Sequence, residues 1–228
     1  MTTAVLLAGG IGARVGGGVP KQLLEVGGRP LLEHALATFH AHEAVTDVLV
    51  VMAPAHLAAA EALVSAYPKV RAVLPGGATR SDSTLVALGA LEDDELVLLH
   101  DAARPLVTAR MVDDCLAALA DHDAVGTVVE SADTIWLVDG DGHLAGIPSR
   151  ATLRRVQTPQ GFRVGTLRAA YDAALRDPEF EATDDCAVVF RYTPGVPVAL
   201  VPGEERNLKV TTPGDLRVAE ALLAEFPR

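Results

Sequence analysis

The chain has 228 residues, with 19 Lys plus Arg against 30 Asp plus Glu and a formal net charge of −11. Half of the residues are apolar, enough for a packed core. At this length one α/β domain, with or without an appendage, is expected. The acidic balance argues against a protein that coats nucleic acid or docks on an anionic membrane, because both need positive surface.

Residues 4–8 form a short apolar run that ends in Gly9-Gly10 and reads as a buried strand feeding a loop. Leu31, Leu32, Ala35, Leu36 and Phe39 then follow helical spacing over 30–39. Residues 45–52 read as a second strand, 55–67 as an alanine-rich helix, and 70–74 as a third strand ended by Pro75-Gly76-Gly77. A helix over 83–91 and a fourth strand over 96–99 follow, ended by His100-Asp101-Ala102-Ala103-Arg104-Pro105. The pattern then changes. Residues 125–129 and 134–138 are both β-like, and Asp139-Gly140-Asp141-Gly142 is a turn signal. This predicts a projecting hairpin arm, at about residues 130–155, inserted in a single domain over 1–228. The plain alternative is an ordinary edge hairpin. A helix over 164–175, a strand over 196–201 and a last helix from about Pro213 complete the pass.

Alternating strands and helices with short glycine or proline turns predict a Rossmann-like, mainly parallel sheet with helices on both faces. Ligands in such sheets bind outside the carboxyl ends of the strands, so the loops there form the expected site. The first residues lack the basic segment of a signal peptide, and no window reaches the roughly 18 apolar residues of a membrane span. Cys115 and Cys186 lack metal-type spacing and read as free thiols, so a cytoplasmic protein without a structural metal is expected. The seven histidines show no ligand spacing; only His100 falls at a strand end beside motif residues. Lysine is scarce: Lys21, Lys69 and Lys209 are the only three.

The loop after the first strand carries Gly10, Gly12 and Gly16, with Val15 where a dinucleotide fingerprint needs glycine. No Gly-Lys-Ser/Thr follows, so it is not a P-loop either. A glycine-rich loop with Arg14 inside it and Lys21 just beyond it suits phosphate: bare backbone N–H groups, a bidentate fork and a point charge. A flexible turn with two solvated cations is the plain alternative.

Leu7-Ala8-Gly9-Gly10-Ile11-Gly12-Ala13-Arg14 followed by Pro20-Lys21-Gln22 resembles the nucleotide-binding loop of nucleotidyltransferases that activate sugar and polyol phosphates. In order come Gly76-Gly77-Ala78-Thr79-Arg80-Ser81-Asp82-Ser83, the 100–105 segment, Arg150 with Gln157-Thr158-Pro159-Gln160, Thr183-Asp184-Asp185, and Asn207-Leu208-Lys209-Val210-Thr211-Thr212-Pro213. This set resembles the 2-C-methyl-D-erythritol 4-phosphate cytidylyltransferases over about residues 4–225. The related ribitol-5-phosphate cytidylyltransferases share several of these motifs. His100-Asp101-Ala102-Ala103-Arg104 favours the first family, whereas Ala8-Gly9-Gly10 and Trp136 depart from its usual pattern.

The resemblance implies transfer of CMP from CTP to a polyol phosphate, assisted by Mg²⁺. The nucleophile would be a phosphate oxygen, already anionic at neutral pH because its second pKa is about 6. Catalysis would then be positioning and charge neutralisation. The resemblance points Arg14, Lys21, Arg150 and Lys209 at catalysis. It points Ala8, Gly9, Gly10, Gly12, Gly76, Gly77, Arg80, Ser83, Asp101 and Ala102 at the nucleotide. It points Asp101, Arg104, Thr134, Arg150 and Thr183 at the polyol phosphate, with Asp101 also a candidate Mg²⁺ ligand. In the family the residues matching Thr134 and Arg150 reach in from a second subunit, which implies a homodimer through the arm. Asp184 and Asp185 read as helix-start acids. A non-catalytic nucleotide-binding module is the alternative of another class.

Overall fold

The computed structural model describes residues 1–10 and 20–225. The glycine-loop residues Gly12 and Arg14 lie outside them. In chain order the strands are β1 (Thr2–Ala8), β2 (Glu25–Val26), β3 (Arg29–Pro30), β4 (Asp47–Met52), β5 (Val70–Pro75), β6 (Leu96–Asp101), β7 (Ala124–Glu130), β8 (Leu137–Val138), β9 (Leu144–Gly146), β10 (Arg154–Arg163) and β11 (Val198–Pro202). The α-helices are α1 (Leu31–Ala41), α2 (Leu57–Val64), α3 (Arg80–Leu88), α4 (Ala109–Ala118), α5 (Val164–Ala174), α6 (Asp185–Tyr192) and α7 (Pro213–Glu225).

Seven strands form one sheet in the order β11-β7-β10-β6-β1-β4-β5. All its pairings are parallel except those of β10, which runs antiparallel to both β6 and β7. Both faces of the sheet are covered, which explains its near-continuous apolar runs. Along β1, Ala4, Leu6 and Ala8 pack with α1, α2 and α4 residues such as Leu36, Val64 and Met111. Val5 and Leu7 point the other way, into a cluster with Leu88 of α3, Leu167 of α5 and Val189 of α6. Each fully buried aliphatic side chain contributes about 1.5–3 kcal/mol. A small third cluster joins α7 to the β2–β3 hairpin through Val26, Leu31, Val210 and Ala219.

The expected strands and helices are present, with three differences. The helix expected over 55–67 is a 3₁₀ turn at Pro54–His56 followed by the shorter α2. The β-like run at 134–138 is a strand only at Leu137–Val138, paired with β9. The sequence pattern also does not show α4, β10 or the β2–β3 hairpin. The β8–β9 hairpin projects from the sheet between β7 and β10. Ile135, Trp136, Leu137, Val138, Leu144 and Ile147 are all exposed on it, Trp136 by 63%.

Candidate functional site

In the sheet β1 lies between β6 and β4, the point where strand order reverses and where doubly wound folds leave a crevice. A cleft opens there at the carboxyl ends of β1 and β6, lined by Gly9, Gly10, Lys21, Gly77, Arg80 and Asp101 among others.

Glycine makes room for its floor. A Cβ on Gly77 would collide with Asp82 at the start of α3. Asp82 and Thr79 form a capping box there: the Asp82 N–H donates to Thr79 Oγ1 (3.0 Å), and the Thr79 N–H donates to Asp82 Oδ2 (2.9 Å). Gly9 has the same purpose on the facing loop, where a Cβ would come within 2.9 Å of Ser83 Oγ. The Ser83 hydroxyl donates to Thr79 O (3.1 Å) between the two glycine segments.

Charge is concentrated around Asp101, the last residue of β6. Lys209 Nζ lies 2.8 Å from its Oδ2, Arg104 Nε 3.7 Å from the same oxygen, and Arg80 Nε 3.4 Å from Oδ1. Burial pushes the Asp101 carboxyl upward, but Arg80, Lys209 and Arg104 together overcome this and hold it well below the usual carboxylate range. Arg80 is desolvated too, yet Asp185 and Asp101 keep it firmly charged. For Arg104 burial outweighs the attraction of Asp101, so its guanidinium is lowered from its ordinary value.

The two motif lysines meet here from opposite ends of the chain. Lys21 Nζ donates to the carbonyl of Val210 (3.1 Å), next in sequence to Lys209. The segment bearing Lys209 is pinned on both sides. The Val210 N–H donates to Ala103 O (2.9 Å), and the buried Asn207 donates through Nδ2 to Thr158 O (2.9 Å) and Gln157 Oε1 (3.2 Å).

Of the other expected residues, Gly9, Gly10, Gly77 and Ser83 line the cleft. Ala8 and Ala102 are fully buried just beneath it, where the Ala102 N–H donates to Leu7 O (3.1 Å). The Gly76 N–H donates to Met52 O (2.7 Å) and fixes the turn. Arg104 is held below the surface, its Nη1 donating to Asn207 O (2.8 Å) and its Nη2 to Val156 O (3.4 Å).

Thr134, Arg150 and Thr183 do not line this cleft. Arg150 lies at the base of the arm in a separate depression with Arg154, Glu130 and Glu205, and donates to Ala132 O (2.8 Å). Arg155 is neutralised by Glu205 (2.5 Å). Thr134 and Thr183 are exposed. His100 is structural: its ring nitrogens contact Thr158 Oγ1 and Arg104 O, each at 3.0 Å, and its ring packs on Phe39. Among the described residues, His143 groups with Asp139 and Asp141 at the exposed arm tip. There the Asp139 carboxylate closes the turn by accepting from the N–H groups of Asp141 and His143.

Two further residues belong to the site, and sequence reasoning gave neither of them a role there. Gln22 is 2% exposed and lines the cleft, and its Oε1 has no hydrogen-bond partner among the described residues. It stands in the Pro-Lys-Gln motif, so the signal was present. Asp185 is the buried partner of Arg80 (2.5 Å) although 105 residues away. Nothing local in the sequence marks that pairing. Asp184 does cap α6 as expected, accepting from the Ala187 N–H (3.0 Å).

Neither thiol is activated toward the thiolate. Burial pushes Cys115 up to about 11 and Cys186 well above its ordinary value. A site of fixed cations with no activated nucleophile suits a reaction in which both substrates are phosphorylated.

Over residues 2–225 the sequence matches the family described as 2-C-methyl-D-erythritol 4-phosphate cytidylyltransferase. It is 52% identical over 229 residues to the 2-C-methyl-D-erythritol 4-phosphate cytidylyltransferase of Thermobifida fusca, covering 96% of this chain and 92% of that protein. A bifunctional ribulose 5-phosphate reductase/CDP-ribitol pyrophosphorylase of Haemophilus influenzae is 38% identical over 224 residues, covering 96% of this chain and 47% of that protein. Among solved structures, the 4-diphosphocytidyl-2C-methyl-D-erythritol synthase of Anaerococcus prevotii is similar with a TM-score of 0.87 and 30% identity, covering 98% and 96% of the two chains. The chain belongs to the 2-C-methyl-D-erythritol 4-phosphate cytidylyltransferase family, and is a nucleotidyltransferase that passes CMP from CTP to 2-C-methyl-D-erythritol 4-phosphate with release of pyrophosphate.

Proposed function

We propose that the cleft at the ends of β1 and β6 holds CTP and that its cations carry the transfer. The observation behind this reading is the meeting of Lys21 and Lys209 across Val210 and Asp101. A phosphate oxygen of the acceptor attacks the α-phosphorus. A new P–O bond forms there, the bond to the β-phosphate oxygen breaks, and pyrophosphate leaves. Lys21 and Arg14 stabilise charge on the α-phosphate and the leaving group, while Lys209 steadies the α-phosphate from the opposite side. No proton need be removed from the nucleophile.

The cytosine ring lies against Gly76, Gly77 and Ser83, whose backbone groups and hydroxyl read its edge. Ala8, Gly9, Gly10, Gly12 and Ala102 supply close backbone, and Arg80 a half-buried charged donor. Asp101 and Arg104 orient the acceptor's hydroxyl groups.

Asp101 is the only carboxylate among the described residues that line the cleft, and three cations surround it. Mg²⁺ prefers an open shell of oxygens and several waters. These residues therefore do not build a resident metal site, and Asp101 serves to organise the cations. A divalent cation accompanying CTP would supply charge neutralisation, and Lys21 and Lys209 would hold the phosphates beside it.

The enzyme works as a homodimer. The supporting feature is the arm's exposed apolar surface, which a lone hairpin in water does not favour. Thr134 and Arg150 then serve the partner's acceptor phosphate, and Thr183 lies at the margin of the site. Arg154 is available beside Arg150, whereas Glu205 occupies Arg155. Among the described residues no helix is long and apolar enough to cross a membrane. The free thiols suit a cytoplasmic setting.

The test is pyrophosphate release from CTP and Mg²⁺ with methylerythritol phosphate or ribitol phosphate as acceptor. Methylerythritol phosphate should be strongly preferred. Turnover with ribitol phosphate alone would overturn the reading, as would CTP binding without turnover.

A further inference from the structure

Asp185 has no part in the roles above. It is the first residue of α6 and is fully buried. A buried carboxylate needs a full set of partners, and Asp185 has one. Its Oδ1 accepts from the Tyr171 hydroxyl (2.7 Å) and from Thr84 Oγ1 (2.9 Å), and its Oδ2 accepts from Arg80 Nη1 (2.5 Å). Its own N–H donates to Gln160 Oε1 (3.1 Å). The helix does not need this carboxylate, because Asp184 already caps it. A buried ion pair is also a poor way to stabilise a fold compared with apolar packing. Of the Asp185 partners, Arg80 alone is charged and alone lines the cleft. Arg80 extends from there to Asp101 through Nε, and its Nη2 is buried without a hydrogen-bond partner among the described residues.

We infer that Asp185 is a positioning residue for nucleotide binding: it clamps one edge of the Arg80 guanidinium and so holds that charge in place on the wall of the cleft. Without the clamp, Arg80 is drawn wholly onto Asp101, its only other carboxylate partner among the described residues. It would then compete with Lys209, which holds the second Asp101 oxygen. With the clamp, the fork is ordered before the ligand arrives, and binding does not bear that cost. The inference rests on the reading of the cleft as the CTP site.

The experiment is a double-mutant cycle of Arg80→Gln and Asp185→Asn, read by calorimetric titration with CTP and by steady-state kinetics. Each single variant should weaken CTP binding by about 10-fold or more, the usual effect of losing a charged hydrogen bond. The Michaelis constant for CTP should rise and that for the polyol phosphate should not. The double variant should bind CTP no worse than the weaker single one. Additive losses, or normal CTP affinity in Asp185→Asn beside a weakened Arg80→Gln, would overturn the inference and leave the CTP site standing. Normal affinity in both Arg80→Gln and Lys21→Ala would overturn both. If Asp185→Asn does not fold, Tyr171→Phe removes one support and keeps the charge. It should weaken CTP binding to a smaller extent, and unchanged affinity would count against the clamp.

Discussion

The cleft and the arm hold their polar side chains in different ways. In the cleft, Asp101 touches three cations, Arg80 touches two carboxylates, and the Lys209 segment is tied to Ala103, Gln157 and Thr158. Those groups are ordered by their own chain before any substrate arrives. On the arm, Thr134 is exposed and Arg150 donates to a single neighbouring carbonyl, beneath a row of uncovered apolar side chains. On the proposed reading, nucleotide handling rests on an internal charge network and acceptor handling on association.

Perturbing each region in turn should separate these dependences. Lys21→Ala should reduce kcat/KM by about 10²- to 10³-fold, the usual effect of losing a transition-state donor, with an unchanged circular dichroism spectrum. Near-normal turnover would remove Lys21 from the mechanism. Arg150→Ala should raise KM for the polyol phosphate by about 10-fold or more while CTP affinity holds. Mixing it with Lys21→Ala should recover activity, because one of the two sites in a mixed dimer has both residues. No recovery after verified subunit exchange would show that sites are not shared. Trp136→Asp should weaken self-association by roughly 30-fold in sedimentation runs, and a variant that still dimerises as tightly would place the interface elsewhere. The smallest effect is the pH response of Asp101. Its folded pKa lies below the ordinary 3.8, so its stabilisation is complete above that value and fades as pH falls below it. The difference in melting temperature between wild type and Asp101→Asn should stay constant above about pH 5 and narrow below 3.8. A gap that closes at neutral pH would mean that the cations do not hold the carboxylate.

What the sequence revealed follows the same division. The strands β1, β4, β6 and β7 were legible because burial on two faces demands apolar runs, and the half-buried edge strands β5 and β11 because they are short and rich in valine. β10 was not, although it lies inside the sheet: Arg-Arg-Val-Gln-Thr-Pro-Gln-Gly-Phe-Arg is largely polar. Its polar side chains serve the site, with Thr158 accepting the Asp101 N–H (3.1 Å) and Gln160 gripping the start of α6. Lys21, Lys209 and Asp101 were legible as motif residues, each at a loop or strand end. The pairing of Arg80 with Asp185 was not, because contacts between distant segments leave no periodic mark.

Glu130 and Arg154 are register partners at the base of the arm. The chain therefore leaves the sheet and returns to it within about 5 Å, the spacing of paired strands. An excursion with coincident ends is a detachable module. Its length and apolar sequence can be exchanged for another pairing code while β7, β10 and the charges beyond them stay in register. If the arm is the dimer contact proposed above, choice of partner and choice of nucleotide are separately adjustable in this fold.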